Sequence, residues 1–297
     1  MSTKHDLLTW QDVQATQLRP VMLDTLTTLV ARGREPGQIR ILDLGCGRGA
    51  TVIKLLQLGF DAYGVDIDAE PIRNGLPLLA GFGAPIAPMD RLRIQATTEP
   101  LPFPDEFFDL ILSDQVFEHV ANLLDVATEM ARVTRADARG IHTFPAKWRV
   151  VEPHVFVPFV HWLPKTRVRY WWLRSLSWRL PLWKDHEALS LGERLRVFHA
   201  YLDAKTFYRP VSEIIGTLRA AGFESHVSCQ TASRSVSRRR IDGLVPALRQ
   251  WLRCWRRTMF REVVLIARKQ DSRASGGGYS LGCARVSAAR KNGADGE

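Results

Sequence analysis

Ten residues, Ile41 to Ala50, constrain this chain more than any other stretch. They read ILDLGCGRGA: an apolar run, one acid at Asp43, and glycines at 45, 47 and 49. Ile41-Leu42 reads as the end of a buried strand. The alternate glycines let the backbone turn sharply and leave no Cβ between the loop and a ligand. Thr51 to Leu58 continues at helical spacing, so the loop joins a strand to a helix. That is the geometry of a nucleotide-type site at the carboxyl edge of a parallel sheet.

The flanking sequence supplies such a sheet. Residues 39–44 form the first strand, and FDAYGVDI (60–67) forms the second, ending at Asp66. Asp66 lies 23 residues beyond Asp43, the spacing expected of an acid that binds ribose hydroxyls. Asp68 is a weaker candidate for that role. Further strands are expected at 92–96, 110–112 and 140–144. A helix interrupted by Pro71 and Pro77 is expected over 69–83, and another over Gln115 to Val133. Strand–helix alternation from 39 to 144 implies an α/β fold with a doubly wound parallel sheet.

Residues 3–32 read as one or two helices with a break near Pro20, making residues 1–33 an N-terminal helical cap. The alternation breaks at 145–205, where five of the nine tryptophans fall between Trp162 and Trp183. It resumes with a helix at Pro210 to Gly222 and strands at 223–228 and 262–268. Residues 229–260 form a second insertion. The tail, 269–297, contains SGGG and reads as disordered.

The net charge of +10 is concentrated in two segments: Lys165 to Lys184, with six basic residues and no acid, and Arg234 to Arg261, with nine arginines and one acid. Such segments attract phosphates, nucleic acid or an anionic membrane. Over 241–260, Leu244, Leu248, Trp251, Leu252, Trp255 and Met259 share one helical face, and Arg249, Arg253, Arg256 and Arg257 occupy the other. That pattern fits an interfacial membrane helix. The same face could instead pack on the chain's own insertion. The Trp-rich stretch 162–183 is a second candidate membrane contact. No run reaches the roughly 18 apolar residues of a membrane span, and the N-terminus lacks the apolar core of a signal peptide. Four scattered cysteines point to a reduced, cytoplasmic protein, peripheral at the inner membrane surface if those segments bind lipid. No metal site is expected, because the cysteines lack ligand spacing.

Four blocks, DLGCGRG, GVDID, LPFPDEFFDLILSDQVFEHV and TFYRPVSEIIGTLRAAGF, together resemble the class I S-adenosylmethionine-dependent methyltransferases, nearest in pattern to the small-molecule and quinone-type enzymes. The resemblance covers residues 39–144 and 205–268. It implies a seven-stranded, mostly parallel, Rossmann-like sheet over 34–268, with a lid inserted at 145–205 and a basic amphipathic insertion at 229–260. It implies S-adenosylmethionine as cofactor. Asp43 and the loop Gly45-Cys46-Gly47-Gly49 would hold its aminopropyl carboxylate end, Asp66 the ribose, Ile67 the adenine face, and Thr97 and Thr98 the adenine edge. Asp114 would lie near the methionine moiety. A dinucleotide reading of the loop is disfavoured, because the reductase fingerprint places its last glycine one residue later.

Methyl transfer to a hydroxyl needs a base. His119, in the Glu118-His119 pair, and His154, early in the first insertion, are the candidates. His142, His161 and Glu152 are secondary ones. The leading expectation is O-methylation of a bulky, partly apolar, lipid-linked or glycan acceptor. The alternatives are an RNA methyltransferase using the arginine segments and a non-catalytic module on the same fold. Against RNA, the chain has no recognisable RNA-binding module, and Ser113-Asp114-Gln115-Val116 lacks a base-stacking loop.

Overall fold

The computed structural model describes residues 6–83, 87–96, 99–180, 189–228 and 262–271. The chain enters through α1 (Trp10–Ala15), opened by a Thr9/Asp12 capping box, and α2 (Pro20–Ala31). Pro20 occupies the start of α2, where its missing N–H has no helical partner to lose. There follow β1 (Arg40–Leu44), α3 (Ala50–Gln57), β2 (Asp61–Asp66), α4 (Ala69–Gly81), α5 (Pro88–Arg91) and β3 (Leu92–Ile94). The second half runs β4 (Phe108–Asp114), α6 (Leu123–Val133), β5 (Thr134–Pro145), α7 (Arg167–Ser175), α8 (Leu191–Lys205), α9 (Val211–Ala220), β6 (Phe223–Val227) and β7 (Glu262–Lys269).

The strands form one sheet in the order β3-β2-β1-β4-β5-β7-β6, with β7 antiparallel to both neighbours and every other pairing parallel. Its two faces bury separate cores. Leu42, Ile111 and Phe144 pack beneath α6 and α9, whereas Ile41, Leu110, Leu112 and Ile141 pack beneath α2, α3 and α4. Successive strand residues alternate between these faces, and burial on both sides explains the unbroken apolar runs. The expected doubly wound, seven-stranded, mostly parallel sheet is the observed one. After β1 the chain builds outward through β2 and β3, then returns to place β4 on the other side of β1. The carboxyl ends of β1 and β4 therefore diverge at the switch point, where a crevice opens.

Three elements differ from the sequence expectation. The helix expected from Gln115 begins only at Leu123. Gln115 holds a left-handed φ of 57°, which no helix continues through. The 117–121 stretch is instead tied down from outside: Phe207 N–H donates to Glu118 O (2.6 Å), and Arg209 donates to Phe117 O (3.3 Å) and Ala121 O (2.5 Å). The helix α4 runs unbroken through Pro77, and Pro71 falls in its first turn. Residues 145–205, where the strand–helix alternation is expected to break, contain two helices, α7 and α8. They carry a buried cluster in which Val155, Val157 and Val160 of the turn-rich stretch pack with Leu173 of α7 and Leu195, Phe198 and Leu202 of α8. Among the described residues no helix is long and apolar enough to cross a membrane. The whole second insertion, 229–260, with the basic helix expected over 241–260, and the tail from 272 lie outside the described residues.

Candidate functional site

The loop between β1 and α3 turns through three left-handed glycines, with φ of 76° at Gly45, 54° at Gly47 and 80° at Gly49. They serve different ends. A Cβ on Gly45 would lie 2.4 Å from Val116 Cγ2, and one on Gly49 would lie 2.7 Å from Leu92 Cδ1, so both positions are closed by packing. A Cβ on Gly47 would meet nothing within 4 Å. Gly47 is where the backbone faces open space and a ligand can approach. Two glycines outside the loop hold it from behind. A Cβ on Gly64 of β2 would lie 2.6 Å from Cys46 Sγ, and one on Gly75 of α4 would lie 1.9 Å from the Arg48 carbonyl oxygen. Neither stands out in the sequence, because each is a lone glycine inside a regular element.

The acids sit around this cradle. Asp66, at the end of β2, accepts Gly47 N–H at Oδ2 (2.8 Å) and Asp68 N–H at Oδ1 (2.9 Å). Each carboxylate oxygen thus spends one lone pair on backbone and keeps another, a fixed pair of acceptors suited to two vicinal hydroxyls. Asp68 instead caps α4. Ile67, 59% exposed, offers an apolar surface beside Asp66. Asp43 is buried at the end of β1, and burial, helped by the charges of Asp114 and Asp66, pushes its carboxyl up to about 8. A cation placed there would relieve that cost. Burial pushes the Cys46 thiol well up, so it is a packing group without thiolate character. Thr97 and Thr98 lie outside the described residues.

The N-terminal segment folds across this edge. Arg19 bridges Asp114 (2.7 Å) at the end of β4 and Glu262 (3.1 Å) at the start of β7. Arg48 of the loop donates to the carbonyl of Asp6 (3.2 Å) and pairs with Asp12 (3.6 Å).

A second polar cluster forms where the loop after β4 meets the segment after β5. His119 and His154, far apart in sequence, approach with ring centroids 5.0 Å apart. His119 Nδ1 lies 2.6 Å from the Lys205 carbonyl, which can only accept, so Nδ1 carries the proton and Nε2 the lone pair. His154 Nδ1 lies 2.6 Å from Glu152 Oε1. Glu152 is saturated: it also accepts from Tyr208 Oη (2.6 Å) and from the N–H groups of His154 and Val155 (2.7 Å each). Burial works against its charge, but the His154 and Tyr208 bonds outweigh it and hold the carboxyl below its ordinary range. Glu118 is different. Both its oxygens are buried without a hydrogen-bond partner among the described residues, and burial, with smaller contributions from Asp114, Glu262 and Glu152, pushes it up to about 8.

His142 and His161 do not join this cluster. His142 lies inside β5, stacked on Phe117 and bonded to Ser113 Oγ (2.8 Å), and burial drives it down to about 3. It belongs to the sheet core and not to the insertion. His161 packs against the Tyr208 ring, and burial lowers it to about 4.

Comparison with known proteins gives the family. Residues 42–141 match the methyltransferase domain family. The chain is 30% identical over 200 residues to a demethylmenaquinone methyltransferase of Roseiflexus castenholzii, a match covering 66% of this chain and 73% of that protein. It is 31% identical over 128 residues to a ubiquinone biosynthesis O-methyltransferase of Sinorhizobium medicae, covering 40% of this chain and 49% of that one. Among solved structures, an S-adenosylmethionine-dependent methyltransferase from Mesorhizobium loti aligns with a TM-score of 0.47 at 16% identity, over 82% of this chain and 96% of that one. On the sequence relationship and the strand order, the chain belongs to the class I S-adenosylmethionine-dependent methyltransferases, enzymes whose methyl donor is that sulfonium.

Proposed function

We propose that the chain methylates an oxygen on a small, partly apolar acceptor, with residues 145–205 acting as a lid over the sheet edge and supplying the acceptor pocket. The observation that carries this reading is the Glu152–His154 dyad set beside His119. In each imidazole Nδ1 is engaged, and Nε2 is left to take a hydroxyl proton.

The residues at the crevice fit the cofactor. In this reading Asp66 takes the ribose hydroxyls, Ile67 the adenine face, and the Gly45–Gly49 backbone the carboxylate end. Asp43 and Asp114 answer the positive charge of the methionine moiety. The bound cofactor would supply an electrophilic methyl, the electron pair of its C–S bond going to sulfur as the acceptor oxygen takes the methyl. The chain's residues do two things. They hold the acceptor oxygen in line with the methyl, which supplies much of the rate, and they receive the hydroxyl proton at the His154–His119 pair.

The named relatives favour a quinone-type acceptor, a hydroxylated ring on an apolar tail, over the glycan-linked alternative. The exposed aromatic residues of the proposed lid agree with such a lipid-tailed substrate. Trp162 packs on Trp148 and Phe159 (5.9 and 4.9 Å between centroids). Its Nε1–H is held by the Lys147 carbonyl, and that of Trp172 by the Pro158 carbonyl. Trp171 and Trp178 are 62% and 74% exposed. Indoles with fixed polar ends at Trp162 and Trp172, together with Lys147 and Arg174 over the rings of Trp148 and Trp171, suit a membrane–water boundary. In this reading the protein works in the cytoplasm, peripheral to the inner membrane surface. The RNA alternative rests on the two basic segments: 234–261 lies wholly outside the described residues, and in 165–184 Arg169 is buried and paired with Asp203 (2.8 Å).

The test is methyl transfer to prenylated catechol- or quinol-type rings. His154→Ala is expected to lower kcat by about 10²- to 10⁴-fold while leaving affinity for S-adenosylhomocysteine unchanged. Undiminished turnover in that variant rules out the role given to His154.

A further inference from the structure

The buried Glu118 carboxyl faces the imidazoles of His119 and His154. Its side chain is 1% exposed, and Oε1 lies 3.9 Å from His119 Nε2. One donor atom from each of Glu118, His119 and His154 lies within 4.8 Å of the other two. Behind them stands the arrangement usual around a metal-bound histidine, in which the far ring nitrogen donates to a carbonyl or a carboxylate. Here the Lys205 carbonyl does this for His119 and Glu152 for His154. Glu152 has no acceptor capacity to spare for a cation, whereas Glu118 has both oxygens unpaired among the described residues.

From these contacts we infer that Glu118, His119 and His154 form a seat for one divalent cation of the zinc type. Two imidazoles and one carboxylate favour Zn²⁺ or a neighbouring first-row ion over Mg²⁺ or Ca²⁺, which prefer all-oxygen sites. Metal–ligand bonds of about 2.0–2.1 Å place ligand atoms roughly 3.3 Å apart around a tetrahedral ion. The cation would therefore draw the three side chains inward by about 1 Å and favour ionisation of the buried Glu118 carboxyl. Three protein ligands leave a position open, as in catalytic zinc sites.

The inference rests on the reading that an acceptor oxygen is activated at this cluster, and it changes the agent. The acceptor hydroxyl becomes the fourth ligand, and its pKa falls on the cation. Its proton passes to water, the oxygen forms the bond to the methyl carbon, and the C–S electron pair goes to sulfur. Both imidazoles then hold the ion and neither acts as the base.

The experiment titrates Zn²⁺, and separately Mg²⁺, into chelator-treated full-length protein by calorimetry, without cofactor or acceptor. One equivalent of Zn²⁺ should bind, with Mg²⁺ far weaker. Glu118→Gln and His154→Asn should each weaken Zn²⁺ binding by on the order of 100-fold. An X-ray absorption spectrum of the zinc-loaded wild type keeps the test decisive if a variant does not fold: it should show two imidazoles, oxygen and no sulfur. Absence of one-site binding, sulfur in the coordination shell, or unchanged binding in both variants overturns the seat. Methyl transfer that survives chelation but falls in His154→Ala also overturns it, and leaves the base reading intact. A verified seat in a protein that methylates no quinol-type ring supports this inference while removing the acceptor class proposed above.

Discussion

Asp43→Asn should stabilise the ligand-free protein and abolish cofactor binding in one step. Burial raises the Asp43 carboxyl from an ordinary 3.8 to about 8. Its folded pKa therefore lies above its unfolded one. The contribution to stability is fully present below pH 4 and is lost as pH rises through 8. At pH 7 the folded protein bears roughly three pKa units of strain at this site, an upper bound of about 4 kcal/mol at ~1.36 kcal/mol per unit. Asparagine removes the ionisation and keeps the shape. The melting temperature should rise by several degrees at pH 7, the gain should grow from pH 5 to pH 8, and it should vanish near pH 4. Calorimetric scans across that range check the sign. The same variant should show no binding of S-adenosylmethionine, because the charge that destabilises the empty protein is the one proposed to meet the methionine ammonium. A variant that loses stability as pH rises, or that still binds, contradicts this assignment.

Gly75→Ala should do the opposite of what helix propensity says. Within α4, alanine is a better helix former than glycine by about 1 kcal/mol. Yet the new Cβ would lie 1.9 Å from the Arg48 carbonyl oxygen, which is backbone in the cofactor loop and cannot rotate away. Either α4 or the loop must shift. A loss of roughly 3 kcal/mol or more is expected, together with weakened cofactor binding. Gly81→Ala, at the end of the same helix with nothing within 4 Å of its Cβ, is the control. It should be neutral or stabilising by ~0.4–1 kcal/mol. Urea unfolding of the two variants separates the contact from the propensity.

The sequence revealed the cradle more readily than the chemistry beside it. Asp43, the three loop glycines and Asp66 are read within one strand–turn–helix unit and the strand after it, where spacing determines position. A doubly wound parallel sheet follows from the strand–helix alternation over 39–144, whereas its seven strands follow only from the family resemblance. The supports of the loop, Gly64 and Gly75, were not legible. Their role is set by what packs against them from elsewhere, namely Cys46 and Arg48. The 115–122 segment has apolar residues at helical spacing, yet hydrogen bonds from Phe207 and Arg209 hold it as a loop. The absence of metal spacing among the cysteines likewise said nothing about Glu118, His119 and His154. The β4 loop and the post-β5 segment bring them together across 35 residues of chain. Residues 145–205 showed no clear period because their core is assembled from a turn-rich stretch and two helices, each contributing a few apolar residues.

The central claim is that the crevice between β1 and β4 seats the methyl donor on Asp66 and the Gly47 backbone. A crystal structure of the protein with S-adenosylhomocysteine tests it most directly. The account predicts both ribose hydroxyls within hydrogen-bond distance of the Asp66 carboxylate, with the amino-acid end over Gly45–Gly49 beside Asp43. A ligand found elsewhere, or one whose ribose makes no contact with Asp66, contradicts it.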